Sequence, residues 1–80
     1  MLPTIRVLCA DNHQTTRDGI EVVLSTIPRI EVVGSARDFT DVLHLIPIIH
    51  PDVVILDILG MDGSPIGTVR RITSDYPSVR

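Results

Sequence analysis

Residues 53–56, Val53-Val54-Ile55-Leu56, are apolar at four consecutive positions, and the run stops at the carboxylate of Asp57. A strand with one wet face alternates apolar and polar side chains, so an unbroken apolar run suits a parallel strand covered on both faces. Parallel neighbours require long crossovers, usually helices, and the rest of the chain supplies them. Ile5-Arg6-Val7-Leu8-Cys9-Ala10 forms a first apolar run, ended by Asp11 and Asn12. Ile20, Val23, Leu24 and Ile27 then follow helical spacing, and Pro28 closes that helix. Ile30-Glu31-Val32-Val33 predicts a second strand, halted at Gly34. Asp38 is a candidate N-cap for a helix carrying Val42, Leu43, Leu45, Ile46 and Ile49, in which Pro47 predicts a kink or an early end. Ser64-Pro65 has the form of a cap followed by proline at the first helical position; Ile66, Val69 and Ile72 line one face, and Pro77 ends the element.

The order βαβαβα predicts an α/β fold with a parallel sheet and right-handed crossovers. In such sheets chemistry sits beyond the carboxyl ends of the strands, where the strand order reverses. Asp11 and Asn12 end the first strand and Asp57 ends the third, so neighbouring first and third strands would open both onto one crevice. Residues 1–80 are expected to form one domain. The net charge of −3 gives no basic footprint for nucleic acid in this segment. Every basic residue is an arginine, and Cys9 is the sole cysteine, read as a reduced core thiol. No stretch approaches a membrane span or the apolar block of a signal peptide, so the reading is cytoplasmic and membrane-free.

Two carboxylates brought close together repel, so one takes up a proton or the pair shares a cation. Oxygen donors select a hard ion; Mg²⁺ takes one or two carboxylates, waters and a phosphate. Asp57 is then a metal ligand, a nucleophile that attacks phosphorus with the cation offsetting charge, or both. The plainer alternative is a loop cap after a buried strand.

"IRVLCADNH", "TRDGIEVVLSTIPRIEVVGSARD" and "HPDVVILD" together resemble the receiver domains of bacterial response regulators, of the CheY-like superfamily. The flavour of "ADNH", "IEVVGSA" and "PDVVILD" is most similar to LuxR/NarL-type regulators with a helix-turn-helix output domain. The resemblance implies a flavodoxin-like receiver fold, here with its first three β-α units and without the last two. It implies that a sensor histidine kinase passes a phosphoryl group to Asp57. It also implies that Asp11, Asn12, Asp57 and the backbone carbonyl of Leu59 hold Mg²⁺. It further implies that the activated domain controls an output, a transcriptional domain outside this segment, and that this segment itself contacts no DNA. On this reading the chain is a phosphoacceptor and no enzyme.

Departures from the family pattern sharpen these expectations. Asn12 replaces a carboxylate of the usual acidic set, so Mg²⁺ should bind more weakly than to a full triad. The family's Asp, three residues, then Pro-Gly-Met-Asp-Gly is shortened here to "DILGMDG". The switch hydroxyl and lysine of strands four and five have no counterpart, and the chain holds no lysine at all. In strand order 2-1-3-4-5, a chain with three strands leaves the third as an edge, which favours a homodimer or association through exposed strand three.

A degenerate receiver serving as an interaction or dimerisation module is the alternative function. A flavodoxin-like cofactor binder is disfavoured, because "DNHQTT" places an acid where a phosphate would be cradled. His13, next to the acidic pair, is not read as a metal ligand; His44, His50, Asp62, Arg70 and Arg71 read as surface or turn residues, and Thr15-Thr16 as the start of the first helix.

Overall fold

The computed structural model describes residues 3–56 and 65–80. Six elements follow one another: β1 (Ile5–Ala10), α1 (Gln14–Ser25), β2 (Ile30–Ala36), α2 (Phe39–Ile49), β3 (Val53–Leu56) and α3 (Pro65–Asp75). The strands form one parallel sheet in the order β2-β1-β3, so β1 is central and has β3 as its neighbour. Val7 pairs with Val53, and the ladder runs on to Ala10 opposite Leu56. The α/β fold with βαβαβα order is therefore the one expected.

Side chains alternate across a strand, and β1 divides its residues between two layers. Leu8 and Ala10 enter the main core with Ala36, Phe39, Val42, Ile46 and Ile72, which belong to β2, α2 and α3. Val7 and Cys9 are equally buried, and alternation directs them to the opposite face. There α1 packs against β1 and β2. Arg6 joins three elements near the amino end of the sheet: its N–H donates to the Asp52 carboxylate at 2.9 Å, and its guanidinium donates to the Ile49 carbonyl at 2.6 Å.

Several local expectations are corrected. Gly34 does not halt β2, which continues to Ala36 with a register shift as the pairing passes from Val7–Val32 to Leu8–Gly34. Pro47 does not end α2 early; the helix runs to Ile49 and closes at His50, whose left-handed backbone (φ 54°) donates its N–H to the Ile46 carbonyl. A proline there removes one N–H, but the last turn is held by its neighbours. Asp38 caps α2 as expected, accepting from the Asp41 N–H at 2.7 Å. Ile27 lies beyond α1, which ends at Ser25. The apolar stripe of α1 is only half covered: Ile20 and Leu24 are half-buried, while Val23 is 62% exposed. In α3 the buried positions are Thr68 and Ile72, with Ile66 68% exposed, because the helix meets the core one position round from its most apolar stripe.

The outer edge of β3 is not bare. Arg80 donates its N–H to the Asp52 carbonyl at 2.9 Å and accepts from the Val54 N–H at 2.6 Å. That pattern, two bonds straddling Val53, is the beginning of a parallel ladder. It corrects the expectation of an open third-strand edge over residues 52–54. Val54, Leu56, Val69, Ile72 and Val79 line an apolar groove of about 210 Å³ between β3, α3 and this terminal segment.

Candidate functional site at the carboxyl end of the central strand

Asp11 follows the last residue of β1 and is fully buried. Its position is fixed on both sides of the chain. The backbone N–H donates to the Ala36 carbonyl at the end of β2, 3.1 Å away. The carboxylate Oδ1 accepts from the backbone N–H of His13 at 2.8 Å, a turn in which a short acidic side chain bonds the backbone two residues on. The His13 ring nitrogen Nδ1 lies 3.2 Å from the same oxygen. Immediately afterwards α1 begins: Arg17 N–H donates to the His13 carbonyl at 3.1 Å, and the Arg17 guanidinium donates to the Asp11 backbone carbonyl.

A buried carboxylate is costly unless it is paired, hydrogen-bonded or neutralised. Asp11 is held at the strand order's reversal, between β2 and β3, where α/β sheets bind their ligands. Asn12, the next residue, is exposed and carries an amide oxygen. Carboxylate and amide oxygens are the hard donors that Mg²⁺ takes, so the described part of the expected set fits such an ion. Asp57 and Leu59, the other two members, lie outside the described residues, as do Asp62 and Ser64. Among the described residues, no three His, Cys, Asp or Glu side chains gather as a metal cluster.

The remaining expectations sort as follows. Thr15 and Thr16 are exposed at the start of α1, whose cap position is His13. His44 and His50 are exposed, as are Arg70 and Arg71; Arg71 pairs with Asp75 at 3.5 Å, one helical turn away. Cys9 is buried, and its thiol is pushed above the usual range by burial first and by the charge of Glu21 second. Sequence reasoning passed over Arg17. Its signal was a cation one turn into the helix that follows the acid, six residues beyond Asp11.

No family model matches the chain. Known proteins do. The DNA-binding transcriptional activator DevR/DosR of Mycobacterium tuberculosis is 32% identical over 76 residues, which are 95% of this chain and 35% of that protein. A protein-glutamate methylesterase/protein-glutamine glutaminase of Geobacillus kaustophilus is 38% identical over 76 residues, 95% of this chain and 22% of the enzyme. Among solved structures, the isolated receiver domain of RcsB from Salmonella enterica serovar Typhimurium, in the presence of the phosphomimetic BeF₃⁻, superposes with a TM-score of 0.85 at 30% identity. That match covers 95% of this chain and 57% of the RcsB chain.

Fold and relatives together define a receiver-type α/β domain. The chain is similar to response regulators over 95% of its length, and its three β-α units match the N-terminal part of a receiver domain. It spans about a third or less of the length of these curated relatives. The expectation of a non-enzymatic protein is corrected by the methylesterase match, since segments similar to this chain occur in a protein named as an enzyme as well as in a transcriptional activator. No helix among the described residues is long and apolar enough to cross a membrane.

Proposed function

We propose that residues 1–80 form the acceptor part of a receiver domain in which Asp57 takes a phosphoryl group from a sensor histidine kinase in the cytoplasm. A carboxylate oxygen of Asp57 attacks phosphorus as the bond to the donor breaks, and the donor leaves with that electron pair. Asp11, Asn12, Asp57 and the Leu59 carbonyl would hold Mg²⁺, whose positive charge would let one anion approach another. The phosphorylated domain then acts on an output domain, which the transcriptional relatives suggest is DNA-binding.

One observation carries the reading. Ala10 and Leu56 are partners in the ladder, Asp11 is fully buried directly after Ala10, and Asp57 is bonded directly to Leu56. The first carboxylate thus sits one residue beyond a described strand pair, and the second follows that pair directly in sequence. A similar receiver domain, that of RcsB, was solved in the presence of a phosphomimetic, which supports the reading from a relative.

The test is incubation with a small phosphodonor and Mg²⁺, followed by intact-mass measurement. One added phosphoryl mass is expected, absent in Asp57→Asn and absent with chelator. Labelling that persists in Asp57→Asn would place the acceptor elsewhere. No labelling of the wild-type chain would favour the degenerate interaction module, for which Asn12 in place of a carboxylate is the supporting observation.

A further inference from the structure

We propose that Arg17 is a positioning residue for the cation site, acting through the peptide that joins its two described ligands. This inference rests on the reading of Asp11 and Asn12 as cation ligands. The guanidinium donates to the Asp11 carbonyl oxygen, which belongs to the Asp11–Asn12 peptide. A peptide is planar, so gripping its oxygen sets the direction in which the chain leaves Asp11 and reaches Asn12. The Asp11 carboxylate is separately held by the His13 N–H, and the His13 carbonyl accepts from Arg17's own N–H. The ring closes: strand end, turn and first helical turn are locked by one half-buried arginine. Groups that orient metal ligands from behind in this way commonly change affinity by about tenfold or more when removed.

Charge predicts the opposite sign. A guanidinium beside the site repels a divalent cation, so if charge were Arg17's main effect its removal would tighten binding. Positioning predicts looser binding. The two signs make the experiment decisive.

The full 80-residue chain is titrated with Mg²⁺ alone, followed by NMR at a temperature where the metal-free protein is folded. Thermal unfolding in chelator is measured beside it. Arg17→Gln should raise the Mg²⁺ Kd about tenfold, with the metal-free unfolding midpoint within a few degrees of wild type. Arg17→Lys, which keeps the charge and a donor but not the planar fork, should fall between the two. A Kd for Arg17→Gln equal to or below wild type overturns the proposal. Should Arg17→Gln fail to fold, Arg17→Lys decides: a loosened Kd supports positioning and an unchanged or tighter one overturns it. Mg²⁺ affinity that survives Asp11→Asn unchanged would instead defeat the underlying site reading, and the role of Arg17 with it.

Discussion

Gly34 of β2 lies against Ile49 of α2 so closely that a Cβ on the glycine would sit 2.6 Å from Ile49 Cδ1 and 3.1 Å from Leu8 Cδ1. The absence of a side chain is what lets the carboxyl end of α2 settle on the sheet. Gly34→Ala should therefore destabilise the fold by about 1–3 kcal/mol, the range for overpacking a filled core. The cost stays within that range because Ile49 Cδ1 ends a rotatable side chain, whereas Leu8 is fully buried. Urea unfolding measures it; an unchanged midpoint would show that Ile49 moves aside freely.

Gly19 is the opposite case. It lies inside α1, and a Cβ built there meets nothing within 4 Å. Gly19→Ala removes the entropy cost of glycine in an open helix and should stabilise by about 0.5–1 kcal/mol. A destabilised variant in the same urea assay would mean that something covers this face of α1.

Cys9 adds a pH dependence at the alkaline end. Its folded thiol ionises above the ordinary value of 9.0, because of burial and then Glu21. Between those two values the unfolded chain holds fewer protons than the folded one, so raising the pH favours unfolding. The contribution is fully present below pH 9.0 and is lost as pH rises toward the folded value. Urea midpoints between about pH 8 and pH 10 should fall more steeply for wild type than for Cys9→Ala. Equal slopes would contradict a protected thiol.

Asn12→Asp restores a carboxylate beside Asp11. Ligand charge drives the affinity of hard cations, so Mg²⁺ should bind more tightly to this variant than to wild type. A titration showing no gain would mean that residue 12 does not reach the ion.

The strand assignments were legible because apolar runs and their acidic stops speak for themselves: Ile5–Ala10 and Val53–Leu56 occupy the residues their patterns predicted. Gly34 misled for a physical reason. In isolation a glycine marks a strand end, yet here it marks a close approach by α2, which only tertiary packing reveals. Ile66 and Val69 misled similarly. Periodicity identifies an apolar stripe, but the rotation of α3 on the sheet decides which residues are covered, and Thr68 and Ile72 are the ones buried. Pro47 broke no helix because it falls near the last turn, where few bonds depend on its missing N–H.

Half of the site was legible in the same way. An acid directly after an apolar strand is visible in the sequence, and the parallel order β2-β1-β3 sets Asp11 at the reversal point. Arg17 was not legible, because a bond from a helical side chain to a backbone carbonyl depends on how α1 leaves β1. Arg80 pairs with β3 although "YPSVR" itself carries no strand periodicity.

The central claim is that Asp11 and Asp57 serve one cation, and a double-substitution cycle on Mg²⁺ affinity tests it most directly. Two groups that share a ligand lose it together, so their effects are strongly non-additive. We expect Asp11→Asn and Asp57→Asn each to remove most of the affinity, and the double variant to bind no more weakly than the worse single one. Independent, additive losses, or full affinity in either single variant, would contradict the account.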